Sequence, residues 1–232
     1  MNKNLLIIFC LLLSNVAFSQ MNGDYNYTIA VRGFSMVQMP RVLSQKNAEQ
    51  FTNAAFNGLM IKFNDNQFSY RLNGSYIKKN VKLVNNCATC QEADGKLTDY
   101  AFKIGFEKNL NFSRIQPYLG LDIGFRYNKF DGTLTNRNTL LDAVSSTAIT
   151  PTIVEASKAG FVAAPVVGIK INPIPQISIF AESSMDFFNS YERQETVMQD
   201  ASNTKTFNKY KKTEFLLNPV SVGIQFHLGI NR

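Results

Sequence analysis

Alternation of apolar and polar residues with a period of two runs through this chain, and the links between the alternating stretches are short and long by turns. A period of two makes half-exposed β-strands, because successive side chains point to opposite faces. The links Asp65-Asn66, Asn109–Arg114 and Asn172–Pro175 are tight, whereas those near Phe34–Ala55, Val81–Lys96, Lys129–Ser157 and Ser190–Lys212 are long and polar. About eight such strands predict an all-β fold, a closed antiparallel up-and-down barrel. Short turns on one rim and long loops on the other are the asymmetry of a transmembrane barrel with periplasmic turns and extracellular loops.

The strands are expected at Tyr25–Val37, Phe56–Asn64, Gln67–Lys79, Leu97–Lys108, Ile115–Asn128, Lys158–Ile171, Gln176–Asn189 and Thr213–Ile230. The third is the clearest: Phe68, Tyr70, Leu72, Gly74 and Tyr76 share one face and Ser69, Arg71, Asn73 and Ser75 the other. The sixth carries Pro165, which cannot donate a ladder hydrogen bond, so either a bulge or a strand placed elsewhere is expected there. In the eighth, Leu216, Val220, Val222, Ile224, Phe226 and Leu228 are read as one apolar face, opposite Glu214, Gln225 and His227.

The first segment reads as an export signal rather than as part of the fold. Lys3 is followed by the apolar run Leu5–Leu13 and by Ala17-Phe18-Ser19, with small residues where a signal peptidase reads. Cleavage is expected after Ser19, giving residues 1–19 as signal peptide and 20–232 as one barrel domain; the alternative is an uncleaved anchor. No later apolar run approaches the ~20 residues a spanning helix needs.

The formal charge is +7. An excess of this sign suggests nucleic acid or an anionic surface. Export argues against nucleic acid, and the basic residues are spread along the chain. Only Lys205, Lys209, Lys211 and Lys212 cluster, and they fall in the last long link, where they meet either anionic lipopolysaccharide or only water. Past the signal two cysteines remain, Cys87 and Cys90 in Cys-Ala-Thr-Cys, read as a local disulfide, with redox, metal or free-thiol roles as alternatives. No metal and no cofactor are expected.

Periodicity does not say which face points inward. Arg71, Lys103 and Arg126 stand at mid-strand with Glu107, Asp122, Glu182 and Asp186 on the same polar faces, and a paired set of this kind can fill a lumen as an ionic network. Aromatic residues fall near strand ends, with Tyr25, Tyr27, Phe63, Phe68, Phe106 and Phe226 towards one rim and Tyr76, Tyr100, Tyr127 and Phe187 towards the other. Two such girdles flank the apolar band of an outer-membrane barrel. The orientation expected is therefore apolar outside and charged inside.

In the Phe18-Ser19-Gln20 junction, the glycines Gly120, Gly124, Gly168 and Gly223, and the last alternating strand Val220–Leu228, the chain resembles the small eight-stranded outer-membrane barrels of the OmpA, OmpX and OmpW type. It resembles more closely the porin-like barrels of Bacteroidetes-type bacteria. The resemblance implies a fold and the outer membrane of a Gram-negative bacterium, not a shared activity. It also implies a last strand of the kind read by the barrel-assembly machinery. The function expected is a non-enzymatic barrel with a filled lumen, its loops serving surface interaction, membrane structure or contact with a protein partner. The alternatives are a lipid-modifying enzyme using His227, a protease using acidic loop residues such as Asp94, Asp99 and Glu192, a narrow conduit for a small hydrophobic compound, or an accessory subunit of a secretion or assembly complex. The apolar link Asn136–Val154 is expected to pack on the barrel rim or to meet another molecule.

Overall fold

The structure, a computed structural model, describes residues 25–41, 51–65, 67–84, 91–136, 152–199 and 203–230. The expected export signal, the expected disulfide Cys87–Cys90 and the apolar residues 137–151 lie outside the described residues. Eight strands follow in order: β1 (Tyr25–Gln38), β2 (Phe51–Asp65), β3 (Phe68–Val84), β4 (Gln91–Asn109), β5 (Ile115–Asn136), β6 (Thr152–Ile174), β7 (Ile177–Met198) and β8 (Lys205–Ile230). Each pairs antiparallel with the next, and β1 closes on β8 from Tyr25↔Ile230 to Met36↔Val220. Closure leaves this ring without a free edge over the shared height.

Three features differ from the sequence reading. The strands run further towards the outer rim than the expected long links allow. The β3–β4 ladder continues to Val84↔Glu92, β5–β6 to Leu134↔Thr152 and β7–β8 to Val197↔Lys205. Lys205, Lys209, Lys211 and Lys212 are therefore strand residues of β8, not loop residues. Pro165 makes no bulge: it lies in an unbroken β5–β6 register opposite Leu121, and the β6–β7 register is the same on both sides of it. Its ring points outward, and the β6–β7 pairing lapses at Ala164 and Pro165 before it resumes at Val166 in the same register.

The irregularities lie elsewhere. β1 shifts register between Arg32 and Phe34, where Phe56 of β2 takes φ 48°. β7–β8 shifts between Glu182 and Ser184, opposite Pro219. That shift changes which residues of β8 face inward. Below it Ser221 and Gln225 are buried, and above it Glu214 and Leu216 are. Leu216 thus belongs to the interior, with 2 % exposure, and its expected place outside is taken by Leu217 and Phe215. A one-residue slip moves every following side chain to the other face.

The interior is narrow enough that large side chains need a gap in the opposite strand. Tyr118 is fully buried, and its ring lies over Gly168, the residue it pairs with on β6. A Cβ on Gly168 would come within 2.3 Å of that ring. Gly168→Ala is expected to lower stability by about 1–3 kcal/mol, as overpacking does. In a Tyr118→Leu background most of that loss should vanish, measured by urea unfolding of the four variants of the cycle. Purely additive losses would show that the ring and the glycine are not coupled.

Candidate functional site: the ionic lumen

At the narrow-turn rim, the last strand brings His227 against β1 and β7. Ser178 donates to Asn172 Oδ1 at 2.5 Å, so its oxygen is left to accept from His227 Nε2 at 2.5 Å. Thr28 Oγ1 shares a hydrogen bond with His227 Nδ1 at 2.8 Å and accepts from Asn64 Nδ2 at 2.9 Å. The network assigns a proton to His227 Nε2. Tyr25 stacks on the ring at 5.6 Å. A serine nucleophile must give its proton to its base. Here Ser178 is fully buried, gives its proton to Asn172 and receives one from the histidine.

Above this girdle lies the densest charge cluster. Arg71 meets Glu107 at 3.2 Å, Asp122 at 2.9 Å and Glu182 at 3.2 Å. Glu107 also takes Lys62 and Lys170, each at 2.8 Å, and Glu182 takes Arg32 at 2.8 Å. Asn73 donates to Asp122 at 3.0 Å and Tyr118 to Glu182 at 3.1 Å. Both lysines also lie against the Tyr118 ring, at 5.4 and 4.9 Å from its centre. The cluster draws residues from every strand between β1 and β7. The glycine at 105 makes room for it, because a Cβ there would sit 2.2 Å from Asp122 Oδ1.

Nearer the outer rim, Lys103 meets Asp186 at 2.5 Å, and Arg126 meets Asp186 and Asp99, each at 3.0 Å. Lys158, fully buried, joins Glu192 at 3.1 Å and Glu214 at 2.9 Å. Between the lower cluster and the Arg126 cluster is a cavity of about 60 Å³, bordered by Arg71, Asp122, Arg126, Glu182 and Asp186. That holds a few waters and no larger solute. The outer mouth is closed by an apolar core. Met39, Val37 and Ala54, from the β1–β2 hairpin, pack on Ile77, Leu83, Leu97, Phe130 and Val154 of the tall strands β3–β6. Val154, at the end of the apolar link, is buried here.

The structure thus places Arg71, Glu107, Asp122 and Glu182 in one cluster and Lys103, Arg126 and Asp186 in the next. Sequence reading did not assign pairing roles to Arg32, Lys62, Asp99, Lys158, Lys170, Glu192 or Glu214. The alternation already put Arg32, Lys62, Asp99 and Glu214 on polar faces. Lys158, Lys170 and Glu192 stand in stretches whose alternation is weak. Of the acidic residues considered for hydrolysis, Asp99 and Glu192 are buried in ion pairs, and Asp94 is exposed on the outer face of β4. Among the described residues no group of three or more His, Cys, Asp or Glu side chains could hold a metal ion.

Removing one partner of a buried ion pair leaves the others uncompensated and costs about 3–5 kcal/mol. Glu107→Gln strands Lys62 and Lys170 and takes one of three carboxylates from Arg71, so its urea-unfolding midpoint should fall by an amount in that range. Lys129→Gln, which breaks only the surface pairs with Asp131 and Glu155, should leave the midpoint in place. Equal effects of the two would refute the buried cluster.

No protein-family model matches the sequence, and no curated protein is similar to it. Solved structures do resemble it. The outer membrane protein OprG from Pseudomonas aeruginosa is 13 % identical over 90 % of this chain and 100 % of its own, with a TM-score of 0.54. A major outer membrane protein from Thermus thermophilus is 12 % identical over 87 % of this chain and 99 % of its own, with a TM-score of 0.49. Ail, the attachment invasion locus protein of Yersinia pestis, is 13 % identical over 88 % and 97 %, with a TM-score of 0.37. The fold is that of OprG: eight antiparallel up-and-down strands closed in a ring, as outer-membrane barrels have.

Proposed function

We propose that this chain is an integral outer-membrane barrel without enzymatic activity. Its lumen is sealed, and its outer strands and loops form a surface for contact with lipids or other proteins. One observation carries the reading. Along each of β3–β5 the apolar residues change sides without any change of register. In β4 the outward residues Phe106, Ile104, Phe102 and Tyr100 give way to Lys96 and Asp94, while the inward residues Glu107, Lys103 and Asp99 give way to Leu97 and Ala93. In β5 outward Ile123 and Phe125 give way to Lys129 and Asp131, while inward Asp122 and Arg126 give way to Phe130. The change falls at one row of aromatics, where Tyr100 stacks on Tyr127 at 5.0 Å. A single solvent would select one arrangement along the whole strand. Hydrocarbon below the aromatic row and water above it select both.

The filled lumen supports the absence of a wide pore, as expected for eight strands. The buried serine and the direction of the His227 hydrogen bonds support the absence of hydrolysis. With its charges enclosed, what the molecule offers to others is the part of its wall above the aromatic row.

Purified protein in planar bilayers should show no large, stable conductance steps. It should hydrolyse neither phospholipid nor peptide above the level of His227→Ala. Orientation is tested by two arginines on the same face of β4. Ile104→Arg, in the band, should cost about 2–4 kcal/mol in unfolding from lipid vesicles, and Thr98→Arg, above the aromatic row, about 0–1 kcal/mol. Protein that stays monodisperse without detergent, or an Ile104→Arg variant as stable as the parent, would overturn the membrane reading.

A further inference from the structure

The wall above the aromatic row is not uniform in charge. Outward residues of β5 and β6 there include Lys129, Asp131 and Glu155, and the lysine is paired with both carboxylates. On β3 and β4, Lys82 pairs with Glu92. On β7 and β8 the balance is different. The register sets Tyr191 beside Lys211, Arg193 beside Lys209, Glu195 beside Phe207 and Val197 beside Lys205. All eight belong to the outward set, so four cations face one carboxylate, a local excess of three positive charges.

That excess is held together by an aromatic ring. The Arg193 guanidinium lies 4.7 Å from the centre of Phe207, and the Lys209 ammonium lies 5.0 Å from it on the neighbouring strand. Cation–π attraction of this kind draws both groups towards one point. Glu195 neutralises little, standing 3.8 Å from Arg193 and 3.9 Å from Lys205, whose side chains are 60 % and 70 % exposed. Charges so placed on a surface gain little from each other and remain available to a ligand.

Position identifies the ligand. The apolar band on these two strands ends at Phe187 and Phe215, whose rings meet edge to face at 5.0 Å. Asn189 and Thr213 follow, and Tyr191 and Lys211 come next. At a rise of roughly 3.3 Å per residue and a tilt of about 40°, Lys211 stands on the order of 10 Å above Phe215. The long Lys211 side chain can reach several ångströms further down towards the interface. The headgroup layer lies just beyond the hydrocarbon, which puts Lys211 at the level of headgroup phosphates and Arg193 and Lys209 on the order of 5 Å above it. A guanidinium takes a phosphate through two parallel hydrogen bonds, and ammonium groups add point charges.

We infer that the β7–β8 face formed by Arg193, Lys209 and Lys211 around Phe207 binds the phosphate of a phosphorylated outer-leaflet glycolipid. The inference rests on the membrane orientation proposed above. It gives that surface a defined lipid partner and a defined place.

The test uses the full chain reconstituted into phosphatidylcholine nanodiscs, doped in separate arms with bisphosphorylated lipid A and with lipid A from which both phosphates have been removed. Retained lipid is counted by native mass spectrometry. The parent should retain the phosphorylated form at least tenfold more strongly than the dephosphorylated one. A variant with Arg193→Gln, Lys209→Gln and Lys211→Gln should lose that preference, while Lys78→Gln with Lys82→Gln, on the outer face of β3, should keep it. Equal retention of the two lipids by inserted parent protein overturns the site alone. So does a triple variant with undiminished preference, or a patch that prefers a soluble acidic polysaccharide to the phosphorylated lipid. Protein that does not enter the discs overturns the membrane orientation and the site with it.

Discussion

One guanidinium organises the barrel. Arg71 projects from β3 into the centre of the lumen and meets carboxylates from β4, β5 and β7. Its planar fork can address three partners in different directions, which a lysine ammonium on a flexible stem cannot do with fixed geometry. Charges buried this deeply persist only when each has its counterpart and its remaining hydrogen bonds. The strands must therefore close at a fixed distance and in a fixed register, or the cluster is lost. Gly105 and Gly168 belong to the same requirement, since each leaves space on one strand for a group from its neighbour.

The two halves of the wall solve opposite problems with one backbone. Below the aromatic row the ladder turns charge inward and apolar residues outward. Above it the same strands turn their apolar residues inward and build an ordinary water-facing core around Phe130 and Leu97. The β1–β2 hairpin completes that core from one side. β2 pairs with β3 only from Gly58↔Ser75 to Asp65↔Phe68, and higher up it leaves β3 and carries Ala54 towards the axis. Seal and wall are thus parts of one sheet, and the bulges at Arg32/Phe34 and Phe56 sit where the hairpin bends.

This inversion also explains what the sequence reveals and what it hides. Strands β3, β4 and β5 are legible within the band because their two faces differ sharply, and parity puts Arg71, Glu107, Asp122 and Arg126 on the polar faces, which the aromatic girdles then turn inward. The outer extensions are hidden because the apolar set moves from even to odd positions in β3, from Leu72 and Tyr76 to Ile77 and Leu83. Read along the chain, that exchange looks like the end of a strand. Leu216 is misplaced for a related reason, since parity carried through Pro219 ignores the slip against β7. Lys158 and Glu192 meet across neighbouring strands, and Lys170 reaches Glu107 across the lumen from β6 to β4; neither proximity is visible to local periodicity.

The chain's excess of positive charge can be located by subtraction. Around Arg71, four cations meet three carboxylates; around Arg126, two meet two; at Lys158, one meets two, with Lys212 reaching in from the rim at 3.5 Å from Glu214. The lumen is therefore close to neutral, as a low-dielectric interior demands. A net charge of +7 cannot reside there. It must lie on surfaces that water or headgroups can screen, and among the described residues the outward face of β7 and β8 holds a large share of it. The basic residues are spread along most of the sequence, and only the cluster at Lys205, Lys209, Lys211 and Lys212 hints at this. Folding separates them, pairing the inward ones with carboxylates and leaving Arg193 and Lys209 gathered about Phe207, with Lys211 beside them, above the apolar band.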